Sequence, residues 1–328
     1  MTTVIVYSRA GCEPCKKTIE LLENLKNEYS FDLVRIDIDS NKELTKKYGK
    51  EIPVVKIGPY TLNGIIDESK LIVTIKAAID RDHQLVEVGD KQYQKRVSSG
   101  RNFSSFDRFS LKLSKLYIWL IAFFLMLYVG LPFLAPVFQK NGANLPARII
   151  YTIYKPLCHQ LAFRSWFIFG EQPFYPRELA GIEGILSYED IINSSEINIR
   201  EAQKFTGNEN LGYKVALCER DIAIYASMFL FSIAFIISGR RIKPLPWYIW
   251  IVIGLVPIAI DGISQLPGLA SNLPFWLLRE STPLLRTITG TLFGFTTAWY
   301  LFPLIEESMN ETRLVLEEKK AYQAQKIF

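Results

Sequence analysis

The sequence has only four cysteines and two histidines among its 328 residues. Cys12 and Cys15 lie close together near the start, whereas Cys158 and Cys218 are far apart. This usage excludes the disulfide framework of a small secreted domain, which needs many closely spaced cysteines. The first residues also lack the basic start and the long apolar run of a secretory signal peptide. We therefore do not expect a disulfide-rich secreted fold.

A strong excess of one charge is absent as well. The formal net charge is +5, and most of the excess lies beside the first long apolar stretch. This placement favours an anionic membrane surface as a partner and argues against nucleic acid. The sequence gives no sign of a haem, flavin or nucleotide site. What it has instead is 49% hydrophobic residues, collected after residue 115 in long stretches without charge.

Residues 1–82 combine alternating and amphipathic patterns that predict the element order β-α-β-α-β-β-α. The predicted strands are 4–7, 31–38, 52–57 and 61–62, and the predicted helices are 16–26, 42–48 and 68–80. Cys12-Glu-Pro-Cys15 follows the first strand and opens the first helix, and Ile52-Pro53 begins the third strand. A dithiol is thus expected at a helix N-terminus. There, unpaired N–H groups and the helix dipole stabilise a thiolate.

These residues are similar to thioredoxins and glutaredoxins over about residues 1–82. The resemblance implies a thiol–disulfide oxidoreductase with Cys12 attacking, Cys15 resolving and Pro53 as a cis-proline beside them. The segment Asn63–Asp67 only loosely matches the one with which glutaredoxins hold glutathione, so we expect a protein dithiol or disulfide partner in the cytoplasm. Two other interpretations of the cysteine pair stay open: half of a zinc site, and a docking or redox-sensing module.

The rest of the chain predicts an all-α membrane domain over residues 116–305, with about four spans of suitable length. The predicted spans are 116–138, 222–239, 245–260 and 287–305. A basic linker at 83–115 and a second basic stretch at 240–243 belong on the cytoplasmic side by the positive-inside rule. We therefore expect a multi-pass protein of the cell (plasma) membrane with both termini in the cytoplasm. A tail helix at 306–328 is then inside. A large segment at 139–221 is outside, and its polar part, 170–214, is expected to be ordered only in part.

A second resemblance covers roughly residues 115–305. Four short segments look like those of a family of predicted prokaryotic membrane proteins of unknown function. They are Cys158-His-Gln160, Cys218-Glu-Arg-Asp221 followed by Tyr225, Asp261-Gly-x-x-Gln265, and Arg279-x-Ser-Thr-x-x-x-Arg286-x-x-Thr-Gly290. The family has Cys-x-Arg-Cys in the second segment, so Asp221 stands in place of a cysteine. The resemblance implies a topology and a set of positions, but no activity.

By this topology, the polar residues of the four segments meet at the outer membrane face, where ionisable groups are candidate functional residues. Three interpretations stay open. The first is a zinc site formed by Cys158, His159, Cys218 and Asp221. The second is a Cys158–Cys218 disulfide, favoured by an oxidising exterior, and the third is a structural cluster of salt bridges. The candidate ligand-binding residues are Gln160, Arg220, Asp261, Gln265, Arg279 and Arg286, whose arginines have bidentate chemistry for a lipid phosphate or a carboxylate.

Overall fold

The computed structural model describes residues 2–40, 42–89, 91–92, 102–265 and 279–325. It divides into two compact units, one of residues 1–115 with 308–328 and one of residues 116–307. The predictions made for linker residues 90 and 93–101 and for tail residues 326–328 lie outside the described residues.

The first unit is built on a four-stranded sheet of order β2-β1-β3-β4. Its elements are β1 (Thr2–Ser8), α1 (Glu13–Glu28), β2 (Phe31–Asp37), α2 (Lys42–Tyr48), β3 (Val54–Ile57), β4 (Tyr60–Asn63) and α3 (Glu68–Glu87). Strand β1 pairs in parallel with β2 and antiparallel with β3, and β3 pairs antiparallel with β4. The predicted α/β thioredoxin-like fold is confirmed, and α1 begins three residues earlier than the pattern predicted.

Two clusters of buried side chains cover the two faces of this sheet, because successive strand residues point to opposite sides. Val4 and Val6 pack with α1 and α3 on one face. Tyr7 packs on the other face with α2 and with Leu314 and Tyr322 of the C-terminal helix. The unit therefore includes residues beyond the predicted domain boundary at residue 82, and its second face is covered by the chain terminus.

Charged contacts tie the same terminus to the start of the fourth helix. The fourth helix is α4 (Ser105–Lys140), and the C-terminal helix is α10 (Pro283–Gln325). Lys319 lies 2.7 Å from Asp107, and Lys115 lies 2.7 Å from Glu317. The buried Arg313 guanidinium donates to the Ser114 carbonyl at 2.7 Å. Tail residues 308–325 are thus held by apolar and polar contacts within the first unit.

The second unit contains the membrane part. Three described helices are long and apolar enough to cross a membrane: α4, α8 (Glu219–Ile237) and α10. The third predicted span, 245–260, overlaps a shorter apolar helix, α9 (Trp247–Ile263). Helices α8 and α10 approach closely at Gly294, where an added Cβ would collide with the Ile224 carbonyl oxygen.

Residues 139–218 are not purely helical. They form α5 (Asn144–Tyr154), β5 (Ser165–Ile168), α6 (Tyr188–Ile192), α7 (Ile199–Lys204), β6 (Gly207–Asn208) and β7 (Gly212–Cys218), with the strands in one sheet of order β5-β7-β6. The partial order expected for 170–214 stays a prediction, whereas the expectation of an all-α region misses this sheet. The reason is a core of scattered aromatic residues, among them Phe163, Phe167, Tyr175 and Tyr188.

Candidate functional site

The first site is the dithiol of the glutaredoxin-like sheet. Cys12 and Cys15 are joined as a disulfide. Cys12 is the N-cap of α1, and its Sγ accepts a hydrogen bond from the Cys15 N–H at 3.2 Å. Cys15 is 1% exposed, whereas Cys12 is partly exposed. The pair is therefore asymmetric: only Cys12 presents its sulfur to a partner.

Pro53 lies at the same end of the sheet. The Ile52–Pro53 peptide is cis, and Pro53 immediately precedes β3. Because Tyr7 pairs with Val54, the start of β3 lies beside the end of β1, from which the chain leads to Cys12. The sheet register thus brings Pro53 and the dithiol to the same end of the sheet.

A partly buried polar group packs against Tyr7, near this end of the sheet, and the sequence interpretation did not identify it. The Tyr7 and Tyr48 rings stack with centroids 4.3 Å apart, and the Lys56 ammonium lies over both. Lys56 Nζ is 3.0 Å from the Glu318 carboxylate. Burial, with a smaller contribution from Glu318, raises the pKa of Tyr7 above its ordinary value. No local pattern could have revealed the group, because Glu318 comes from the far end of the chain.

The second site, in the other unit, is the thiol–carboxylate group, defined as Cys158, Cys218 and Asp221. One ligand atom of each residue lies within 4.8 Å of the other two. Cys218 is the N-cap of α8, and Asp221 follows in the first turn of that helix. His159, the fourth predicted ligand, is exposed and is not part of this group.

A short framework holds Cys158 beside Cys218. The Gln160 amide Nε2 donates to the carbonyls of Tyr151 at 2.9 Å and Ala216 at 3.0 Å, so it joins α5 to β7. Gln160 has φ +52°, a left-handed conformation that few side chains adopt. The Lys214 ammonium donates a hydrogen bond to the main-chain carbonyl of Gln160 at 2.7 Å. Gln160, predicted as a ligand-binding residue, is thus placed as a support for the loop that carries Cys158.

Both cysteines are free thiols. A hydrogen bond from the Cys218 thiol lowers the pKa of Cys158, and the pKa of Cys218 is raised because its proton is held in that bond and because it is buried. Burial also lowers the pKa of Lys214 to about 7. The predicted Cys158–Cys218 disulfide stays a prediction for oxidising conditions.

The predicted arginines are bonded to carboxylates. We call this set the arginine network: Arg164, Arg220, Arg279 and Arg286 with Glu219, Asp261 and Glu280. Arg220 bonds Asp261, and Arg279 lies 3.0 Å from the same carboxylate. Arg286 bonds Glu280 and lies 3.1 Å from Glu219. Two nitrogens of the Arg164 guanidinium donate hydrogen bonds to the Glu280 carboxylate, at 2.8 and 3.1 Å.

Burial decides the energetics of this network. The Arg286, Glu219 and Glu280 side chains are 3%, 1% and 5% exposed. Gln265 completes the set by donating to the Asp261 carbonyl at 2.7 Å. Sequence reasoning overlooked Glu219, although its place between Cys218 and Arg220 was a usable signal. Each of the three carboxylates is bonded to at least one arginine, and the arginines of the network exceed its carboxylates by one.

Two pockets adjoin the thiols. The smaller, about 290 Å³, is lined by all three members of the thiol–carboxylate group together with Arg164, Arg220 and Arg286. The larger, about 820 Å³, is lined by the cations Arg148, Lys155, Arg200 and Lys204 and by no carboxylate. Cys158, His159 and Gln160 line both pockets.

Comparison with known families agrees with this division. Residues 3–83 match the family described as a glutaredoxin-like domain (DUF836), and residues 210–300 match the family described as a predicted membrane protein (DUF2085). The chain is therefore a glutaredoxin-like domain, with a closely spaced cysteine pair, fused to a predicted membrane domain. Both resemblances identified in the sequence are confirmed.

An uncharacterized protein of Methanocaldococcus jannaschii is 29% identical over 203 residues, which are 60% of this chain and 96% of that protein. Uncharacterized proteins of Mycobacterium bovis and Mycobacterium tuberculosis are each 37% identical over 57 residues, or 16% of this chain. The match covers 59% of each mycobacterial protein, less than two thirds of their length. A solved chain described as "Structure of a malarial protein" aligns with 24% of this chain and 97% of its own at 20% identity and a TM-score of 0.22.

Proposed function

We propose that the protein is a membrane-anchored thiol–disulfide oxidoreductase that works through Cys12 and Cys15. The observation that carries the proposal is the asymmetric cysteine pair at the N-terminus of α1, with Cys12 partly exposed and Cys15 buried. The backbone N–H that bonds the Cys12 sulfur would stabilise its thiolate in the reduced protein, and the helix dipole acts in the same direction.

The reaction transfers two electrons from the dithiol to a partner disulfide. The Cys12 thiolate attacks one partner sulfur, which forms a mixed disulfide and releases the other partner sulfur as a thiolate. Cys15 then loses its proton and attacks the Cys12 sulfur. That step restores the Cys12–Cys15 disulfide and releases the reduced partner. Only the exposed sulfur needs to reach the partner, so a protein disulfide is a suitable substrate.

The membrane anchoring is multi-pass in this proposal, with both termini in the cytoplasm. The three apolar helices α4, α8 and α10 support a membrane location. The fourth crossing would be α9, which at 17 residues and about 1.5 Å per residue is slightly short for a hydrocarbon core of about 30 Å. Impermeant thiol labelling of Asn193→Cys, in a background without native cysteines, tests the orientation. Labelling from outside the cell is expected, whereas the matched Lys26→Cys should react only after permeabilisation; the reverse pattern would contradict the topology.

The redox proposal is tested on the full-length protein, because Leu314 and Tyr322 belong to the core of the dithiol unit. The assay is the reduction of a model protein disulfide with a thiol reductant in excess. We expect Cys12→Ser to fall to the uncatalysed rate and Cys15→Ser to accumulate a mixed disulfide with the substrate. Lys26→Ser is the matched control, because this exposed residue lies in the last turn of the same helix, away from the dithiol, and it should keep the wild-type rate. Full activity in Cys12→Ser would end the assignment.

A second candidate function is the binding of a phosphate-bearing ligand in the larger pocket. Its lining includes Arg148, Lys155, Arg200 and Lys204, and none of these four cations has an ion-pair partner among the described residues. Phosphate groups are recognised by such clusters through charge-assisted hydrogen bonds. This makes the pocket, rather than the paired arginines of the network, the better site for the anion that the sequence predicted.

The source of the phosphate is settled by comparing two ligands. Binding of the purified protein to vesicles with anionic lipid tests a lipid headgroup, and titration with inorganic phosphate followed by thermal shift tests a small ligand. Lys155→Ala/Arg200→Ala should weaken whichever binding occurs, and Arg177→Ala, whose guanidinium pairs with Glu189 instead, should not. Equal binding by both variants and the wild type would exclude this pocket.

A further inference from the structure

The thiol–carboxylate group gathers three potential metal ligands in one small volume. Cys158 and Cys218 Sγ and an Asp221 carboxylate oxygen all lie within 4.8 Å of one another. Tetrahedral zinc, with bonds of about 2.3 Å to sulfur and about 2.0 Å to oxygen, sets its ligand atoms roughly 3.5–3.8 Å apart. The ligand atoms are therefore at most about 1 Å farther apart than a bound zinc ion would hold them.

Among the residues that the structure describes, no cation pairs with the Asp221 carboxylate. The four arginines of the network all bond Glu219, Asp261 or Glu280. Among the described residues, the Asp221 carboxylate has no hydrogen bond and no ion pair. Its position in the first turn of α8 gives it favourable interaction with the helix dipole, but that does not account for two thiols beside it.

The two thiols are held by rigid elements, as a preorganised metal site requires. Cys218 ends β7, where it pairs with Ser165 of β5, and it caps α8. Cys158 follows α5, and its N–H donates to the Tyr154 carbonyl at 3.0 Å. Gln160 fixes that loop to β7 by its two amide hydrogen bonds. Such outer contacts keep ligand side chains oriented before the metal arrives.

We propose that Cys158, Cys218 and Asp221 bind a zinc ion and leave its fourth position open. Two sulfurs with one oxygen suit zinc better than magnesium or calcium, which prefer oxygen alone, or copper(I), which prefers sulfur alone. All three donors line the 290 Å³ pocket, so water or a small ligand can supply the fourth bond. Three protein ligands with one exchangeable position are the pattern of reactive rather than purely structural zinc sites. The inference is independent of the redox activity of Cys12 and Cys15.

Metal analysis of the full-length protein, purified anaerobically in detergent with zinc and then desalted, tests the proposal. We expect about one zinc per chain in the wild type, retained in Cys12→Ser/Cys15→Ser and lost in Cys218→Ser. His159→Ala should retain the ion, because the structure leaves His159 out of the group. Substitution with cobalt should give sulfur-to-cobalt charge-transfer bands in the wild type that Cys158→Ser weakens and Asp221→Asn shifts.

A variant could lose zinc simply because it misfolds, so a further experiment uses the wild type alone. A strong chelator should lower the wild-type Tm, and added zinc should restore it. Three results would overturn the proposal: wild-type protein without stoichiometric zinc, zinc that persists in Cys218→Ser, or a Cys158–Cys218 cross-linked peptide as the main species in the anaerobic preparation.

Discussion

Replacing Arg286 by methionine tests whether the arginine network is a stability element. Arg286 joins Glu219 and Glu280, and all three side chains are at most 5% exposed. In Arg286→Met, Glu280 keeps its two bonds to Arg164. Glu219 loses the only cation that it bonds among the described residues. The substitution therefore creates one buried carboxylate without a partner.

The expected cost follows from that single orphaned charge. Breaking a buried ion pair on one side costs about 3–5 kcal/mol, because the remaining charge stays desolvated. For a unit of this size, that corresponds to a fall in Tm of roughly 6–20 °C. Thermal unfolding of the detergent-solubilised protein, followed by circular dichroism, measures it. The double variant Arg286→Met/Glu219→Met removes both charges and should recover most of the loss.

Arg177→Met is the matched control. Arg177 lies 3.2 Å from Glu189, but its side chain is 33% exposed. Because this pair is only partly buried and stays within reach of solvent, we expect it to contribute about 1 kcal/mol, and Tm should change by no more than a few degrees. The reasoning is refuted if Arg286→Met unfolds within this range, or if the double variant is less stable than the single one.

Three further predictions concern other parts of the fold. Lys214 has a pKa of about 7 against an ordinary value of 10.5, so the unfolded chain binds an extra proton between these values and folding stability rises with pH across that window. The Tm difference between wild type and Lys214→Met should therefore shift in favour of wild type from pH 7 to pH 10, and a flat difference would contradict the buried neutral amine. Gly294→Ala should lower Tm by forcing α8 and α10 apart, whereas Gly130→Ala, with open space around its added Cβ, should not; equal stability would show that the two helices are not in close contact. Leu314→Ala should cost about 2–5 kcal/mol of the dithiol unit's stability. The adjacent and 62% exposed Val315→Ala should be nearly neutral, and equal proteolytic sensitivity of the two variants would argue against tail packing.

The dithiol unit was largely predictable because its signals are local. The alternation in β1 and the amphipathic spacing of α1 specify elements within a few residues. Its completion by Leu314 and Tyr322 was not predictable, since no local pattern records a contact between the two ends of a chain. The sheet of residues 165–218 was missed for a related reason: its strands of two, four and seven residues are too short or too mixed for periodicity to identify.

The sequence predicted which residue types lie near the proposed zinc site, but it could not predict their geometry. The sequence identified the residue types, and helical spacing placed Cys218 and Asp221 on one face. It could not decide between Cys158 and the adjacent His159. That choice depends on the loop conformation set by Gln160, whose amide reaches a carbonyl in β7. An amide contact with a strand distant in sequence leaves no periodic signal.

The formal charges of the arginine network and of the thiol–carboxylate group balance each other. Four arginines bond three carboxylates, which leaves one positive charge, and the unpaired Asp221 carboxylate nearby balances it. A zinc ion entering at Cys158 and Cys218 would displace two thiol protons, so the summed charge of the region would not change. Burying a net charge is costly in a region of low dielectric. An exchange of two protons for one divalent cation would avoid that cost, so the proposed zinc ion could bind beside the three arginines that line the same pocket.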